Sequence, residues 1–286
     1  MIDQSVLEKL EFPKVLDFIS RYAITESGKK KVLNLLPVNN LVFIKTEGEA
    51  VNEAKELINK VGYPPIEYLS ELHSVLSETR IEGAVIQGIK LLEILKLAKT
   101  SRLLRQFISQ EAKENSILKQ KSFNLFTDKL FENRIEKIIT EQGEIKENAS
   151  HELARLRKEI NNKKSELVKS INRIIKSLKE DDIVREDYLT LRDGGMVLPV
   201  KAEHKRHLRG FIHSESSTGQ TVYIEPEETL DLNNEIISTS FAEKREIERI
   251  LRELTKVIGQ SAEQLKESLD TLAEIDSVFA RAKYSL

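Results

Sequence analysis

The chain has 286 residues, 32% charged, 40% hydrophobic and 6% aromatic, with no tryptophan and no cysteine; 45 Lys plus Arg nearly balance 47 Asp plus Glu for a net charge of -2. These values exclude disulfides, cysteine-ligated zinc and thiol nucleophiles, and they leave no overall basic field, so any attraction for nucleic acid has to come from a local patch. A mean hydropathy of -0.36 suits long, well-exposed helices better than a thick core, and the sequence has neither a membrane-length apolar run nor the basic and apolar regions of a signal peptide, which points to a cytoplasmic protein with no membrane partner.

The first third reads as short amphipathic helices. Pro13 opens one, and Val15, Leu16, Ile19 and Tyr22 share its face. Thr25 caps the next, which carries Val32, Leu33 and Leu36 and stops before Pro37. A third runs from Leu41 to Val61, closed by Gly62 ahead of Pro64 and Pro65. Further helical segments are expected over 66–78, 88–110 and 123–131.

From Arg134 to Glu180 there is no proline and a single glycine, Gly143. Ala149, Leu153, Leu156, Ile160, Lys163, Leu167, Ser170, Ile174 and Leu178 follow a spacing of four and three, a narrow seam with polar breaks at Lys163 and Ser170. Unbroken, that helix would extend roughly 70 Å. A second seam comprises Ile247, Leu251, Leu254, Ile258, Ser261, Leu265, Ser268, Leu272, Ile275 and Phe279. Two narrow stripes around one insert are expected to zip together antiparallel, because each needs a partner to bury it; pairing with a second chain is the other solution.

The insert, 183–228, has a different texture, with Gly194, Gly195, Gly210, Gly219, Pro199 and Pro226. Asp193-Gly194 between strand-like runs signals a hairpin, and Ser217-Thr218-Gly219 separates a second pair of strands. Pro199 requires a sheet edge or a bulge. The predicted fold is mainly α: a helical core over 1–132, a lever arm of two antiparallel helices over 133–182 and 229–286, and a small antiparallel β module, 183–228, at the arm's end.

Within the insert, Lys201, Lys205, Arg206 and Arg209 alternate with His204, His207 and Glu203 between two predicted strands. Cations grouped this way can grip phosphates without reading bases, and the histidines add charge at lower pH. The plainer reading is a solvated loop, since acidic residues outnumber basic ones over 183–228. No metal site is expected: His204, His207 and His213 have neither cysteines nor an HExxH pattern beside them. Glu26-Ser27-Gly28-Lys29-Lys30 lacks the first glycine and the Ser/Thr of a phosphate loop and reads as a helix start. No catalytic residue and no cofactor site emerges.

The run Leu198-Pro199-Val200-Lys201-Ala202-Glu203-His204-Lys205, then Gly210-Phe211-Ile212-His213, then Ser216 through Pro226 and Leu232-Asn233-Asn234-Glu235, resembles the MutS family, most closely its bacterial MutS-two branch. Leu7 to Phe12, Thr25 to Gly28, Pro64-Pro65 and Ile81-Glu82-Gly83 fit the same branch. The resemblance spans the whole chain. It implies a core, lever and clamp that ends, near Ala280-Arg281-Ala282-Lys283, where a dimeric ATPase using ATP and magnesium would follow, with an Smr nuclease domain beyond. It implies clamp binding to branched DNA in suppression of recombination, separation of collided ribosomes through rRNA contacts, and a homodimer when complete. Where the family commonly has Gly-Arg ahead of its clamp strand, this chain has Gly194-Gly195, which removes a basic group there. The rival expectation is a helical scaffold or dimerisation module that binds a protein partner.

Overall fold

The computed structural model describes residues 4–179, 190–192 and 195–286. In chain order these form α1 (Gln4–Lys9), α2 (Phe12–Ser20), α3 (Glu26–Leu33), α4 (Leu41–Val61), α5 (His73–Glu78), α6 (Gly88–Glu111), α7 (Ile117–Ser122), α8 (Lys129–Ile138), α9 (His151–Lys179), β1 (Thr190–Arg192), β2 (Gly195–Lys201), β3 (Gly210–Glu215), β4 (Thr221–Pro226), α10 (Leu230–Gln260) and α11 (Ala262–Tyr284). The chain is mainly helical with one small antiparallel sheet, as the periodicities predict. It divides into two compact units, Met1–Lys146 with Leu251–Leu286, and Glu147–Ile250.

The first unit is built around α11. Leu265, Leu269, Leu272, Ala273, Ile275, Val278, Phe279, Ala280 and Ala282 are all buried, a face much broader than a narrow seam. The alanines let neighbours approach closely, and α2 to α7 all pack against it. This corrects the second predicted seam: residues 262–284 form a buried helix of the first unit rather than half of a two-helix arm. A helix buried over so broad a face, with Glu263, Glu267 and Asp270 left exposed on one side, belongs in a bundle, whereas a single narrow stripe would have sufficed for an arm.

Several buried polar groups are matched inside this unit, although the buried Ser27 hydroxyl has no hydrogen-bond partner among the described residues. Asp276, fully buried, accepts bonds from the Thr25 amide at 2.8 Å, the Thr25 hydroxyl at 2.7 Å and the Ile24 amide at 3.1 Å. Thr25 in turn caps α3 by accepting from the Gly28 amide at 2.9 Å. Glu132, 1% exposed, takes the fork of Arg102 at 2.6 and 3.1 Å. The Pro13 opening, the Thr25 cap and the Gly62 stop all stand where the sequence puts them.

Other boundaries differ. Of the helix predicted over 66–78 only His73–Glu78 forms; Ile66, Leu69 and Leu72 are buried from a non-helical run whose spacing of three imitates a helical face. The segment predicted over 123–131 is mostly a connection between α7 and α8. The long helix from 134 is interrupted as well. Ile139 bridges Ile145, the Thr140 hydroxyl accepts from the Glu144 amide at 3.1 Å, and Gly143 turns with φ +80°. A β-carbon on Gly88 would lie 1.9 Å from the Gly143 carbonyl oxygen, so two glycines permit this close crossing.

The second unit pairs α9 with the first part of α10, residues 230–250. Ser150 donates to Glu246 at 2.7 Å, Arg157 to Glu243 at 2.8 Å, and Lys163 reaches Glu235 at 3.3 Å. As one number rises the other falls, the signature of antiparallel helices. Lys163, the polar break in the seam, is therefore an ion-pair rung that also holds Glu159 at 2.8 Å.

Where these helices meet the insert, Leu167, Ile171, Ile174 and Ile175 of α9 and Ile236 of α10 form one core with Leu198, Val200, Val222 and Ile224 of the sheet. Strand order is β1-β2-β4-β3, antiparallel throughout. Pro199, expected at a sheet edge or a bulge, lies within β2 opposite Tyr223 of β4, and β1 flanks β2 at residues 195–197. The turn at Asp193-Gly194 lies outside the described residues.

Candidate nucleic-acid interface

Of the candidate cations Lys201 ends β2, and Lys205, Arg206 and Arg209 sit on the connection from β2 to β3. That connection is held at both ends. At its start the Ala202 amide donates to the Gln220 carbonyl at 3.1 Å; at its end the Arg209 carbonyl accepts from the Glu227 amide at 3.0 Å. Between them Ala202–His204 make a short 3-10 turn, continued by the His207 amide donating to the His204 carbonyl at 2.9 Å. Opposite lies the β3–β4 turn, in which Gly219 adopts φ +67° and the Ser216 hydroxyl accepts from the Thr221 amide at 3.1 Å. A cleft of about 510 Å³ opens between Lys201-Ala202-Glu203 and Gly219-Gln220.

Six side chains were candidates, and they divide into two sets. Lys205, Arg206, His207 and Arg209 are exposed, and Lys205, Arg206 and Arg209 make no ion pair among the described residues. Lys201 and His204 are half-buried. Lys201 is already engaged, and His204 stands 3.7 Å from Glu203 with its ring edge-on to that of His207, centroids 5.3 Å apart. Of the six, Lys205, Arg206 and Arg209 thus carry the positive charge that is left unpaired among the described residues. Among the described residues no three His, Cys, Asp or Glu side chains group as metal ligands.

Beneath this surface lies a polar chain that sequence reasoning missed. The His213 Nε2 stands 2.6 Å from Glu225 Oε2, and Asn233 donates to Glu225 Oε1 at 2.5 Å. The Asn233 carboxamide also accepts from the Met196 amide at 3.1 Å and donates to its carbonyl at 3.3 Å. Asn233 is 2% and Glu225 7% exposed. One helical residue therefore ties the start of α10 to β2 and, through Glu225, to the bulge at His213 in β3. Buried and fully bonded, such a chain fixes one arrangement. Its trace in the sequence was the Leu232-Asn233-Asn234-Glu235 block, which carries part of the family resemblance but reveals no role by itself. Arg192 adds a further tie, its guanidinium 4.7 Å from the centre of the Tyr223 ring.

The Glu26–Lys30 stretch, which fails as a phosphate loop in sequence, is the first turn of α3, with Gly28 packed on Asp276. A carboxylate occupies the place where an anion would have to sit.

No family model matches the chain. Curated proteins match it along its whole length. It is 34% identical over 286 residues to the Endonuclease MutS2 of Clostridium beijerinckii, across 99% of this chain and 36% of that protein. It is 31% identical over 293 residues to the Endonuclease MutS2 of Halothermothrix orenii, across 100% of this chain and 37% of the relative. The Endonuclease MutS2 of Geobacillus sp. (strain WCH70) is 31% identical over 283 residues, 98% of this chain and 36% of its own. The chain is MutS2-like throughout and spans about a third of the length of the curated relatives it matches.

Proposed function

We propose that this chain is the core, lever and clamp portion of a MutS2-like protein, and that its β module grips nucleic acid by the phosphate backbone without doing chemistry itself. The observation that carries this reading is the concentration of exposed Lys205, Arg206 and Arg209, which make no ion pair among the described residues, on a connection pinned at both ends. Phosphate contacts need cations that have not already spent their charge on carboxylates, and a rigid base spares the entropy of ordering a loop on binding. His207 lies exposed beside them, and the half-buried Lys201 and His204 shape the base of the surface.

Branched DNA of the kind that arises in recombination is the proposed substrate, with ribosomal RNA as the second phosphate-bearing target. Motion of the clamp would be driven by ATP and magnesium in an ATPase outside this chain, and nuclease activity, named for the relatives, would also lie outside it. A homodimer is the proposed assembly of the complete protein.

The test is fluorescence anisotropy with a labelled four-way junction, comparing the chain with its Lys205→Ala/Arg206→Ala/Arg209→Ala variant. The variant should bind at least tenfold more weakly. The slope of log affinity against log salt should become shallower by about 0.9 for each phosphate that is no longer neutralised. Equal affinity of both forms rejects the surface. An absence of binding together with a concentration-dependent mass in light scattering favours the rival scaffold reading, and a preference for rRNA hairpins over the junction shifts the target to the ribosome.

A further inference from the structure

Directly after the cationic connection the chain runs Arg209-Gly210-Phe211-Ile212 into β3, an outer strand of the sheet. Phe211 is 69% exposed and Ile212 48%. The apolar cluster of the module takes in Leu208 three residues earlier but not Phe211. Ile212 pairs with Ile224 of that cluster, so alternation along the strand turns Phe211 to the other face of the sheet; burying a phenylalanine would contribute about 2–3 kcal/mol, a gain this exposed ring leaves open to a binding partner.

The ring is also mounted firmly. Gly210 pairs with Pro226 and Phe211 with Glu225, and a β-carbon on Gly210 would lie 2.1 Å from the Glu225 carbonyl oxygen. Only glycine allows the strand to start that close to β4. Glu225 is itself held by His213 and Asn233. Arg209 and Phe211 are two residues apart at the head of an extended run, a spacing that sets alternate side chains on one side about 7 Å apart.

We propose that Phe211 is a base-stacking residue: an unpaired nucleobase lies on its ring while Arg209, Arg206 and Lys205 hold the flanking phosphates, so that the module prefers nucleic acid with unpaired bases to a continuous duplex. This rests on the nucleic-acid reading above and adds to it the feature recognised. In a duplex every base face is covered by its neighbours, and an aromatic side chain finds nothing to stack on; at a branch point, gap or single strand the faces are open. Stacking of this kind tolerates any base, because each has a π face, and cations along the same track supply the affinity for the backbone. A ring at the edge of a sheet, flanked by cations that have no carboxylate partner among the described residues, meets both requirements.

The absence of tryptophan from the chain makes the test direct. Phe211→Trp introduces a single indole, whose emission should be quenched when a single-stranded oligothymidylate binds and much less when a duplex of the same length binds. In anisotropy, Phe211→Ala should lose about tenfold in affinity for the single strand while staying within twofold of the parent on duplex. Phe211→Leu, which keeps apolar bulk but has no π face, should behave like the alanine variant. Circular dichroism and Tm should match the parent for all three, since the ring is exposed. If Phe211→Leu binds single strands like the parent, or the indole is not quenched although the oligonucleotide binds, stacking is wrong while the nucleic-acid reading stands. If the parent chain binds neither single strand nor duplex, both fall.

Discussion

Asp276 is the residue on which the helical unit most visibly turns. Its carboxylate is buried, which pushes its proton affinity up, while bonds from Thr25 and Ile24 oppose that shift. It holds the chain just ahead of α3 and crowds Gly28, where a β-carbon would lie 2.2 Å from its Oδ2. Asp276→Ala should leave the Thr25 amide and hydroxyl without their acceptor and destabilise the unit by about 2–4 kcal/mol. Gly28→Ala should cost about 1–3 kcal/mol by overpacking the same spot. Urea denaturation measures both; parent-like midpoints would mean that Asp276 is incidental to the packing. The helix start was legible from Thr25 alone. The partner was not, because it lies 251 residues further along the chain.

At the scale of elements, the pairing of α9 with α10 rests on a ladder of polar rungs beside the apolar seam. Glu246 is the most strongly perturbed rung. The guanidinium of Arg249 and the hydroxyl of Ser150 hold its carboxyl down at about 2, against 4.5 ordinarily. A carboxyl held low in the folded state contributes stability that is complete above its unfolded value and is lost as pH falls from about 4.5 toward 2. Glu246→Gln should therefore lower Tm at pH 7 by a few degrees, for a loss of about 1–2 kcal/mol. The difference should shrink as pH falls through that window. A gap between variant and parent that stays constant from pH 7 to pH 3 would show that the carboxylate's charge is not what matters. The seam in α9 was readable from its spacing of four and three. Its partner was misread because residues 247–279 carry the same spacing, and the extra buried residues at Leu269, Ala273, Ala280 and Ala282 that mark a core helix fall between the seam positions.

For the whole molecule, the division into two units carries its own consequence. The second unit is one continuous segment, and its ends are adjacent, with Ser150 bonded to Glu246. The first is completed only by residues 251–286, which supply the helix at its centre. Residues 147–250 expressed alone should fold cooperatively, with far-ultraviolet circular dichroism of a helical protein and a single thermal transition. Residues 1–146 alone should lack cooperative unfolding and bind a hydrophobic dye, because α11 is missing. A cooperative transition for 1–146 would overturn the central place given to α11.

Period, capping residues and turn residues determined, from the sequence alone, that this protein is mainly helical, where α2, α3, α4, α6 and most of α9 run, and that a glycine-rich β module interrupts two long helices. Those signals are local, read within a few residues of one another. The grouping of exposed Lys205, Arg206 and Arg209 was also local and visible, although which cations remain unspent was not. Only the tertiary structure decided that α11 is a core helix, that Lys163 is a rung between helices, and that Asn233 binds the sheet through Glu225. Each depends on which distant side chain meets which, and an apolar stripe or a lone polar residue specifies that something must cover it without specifying what.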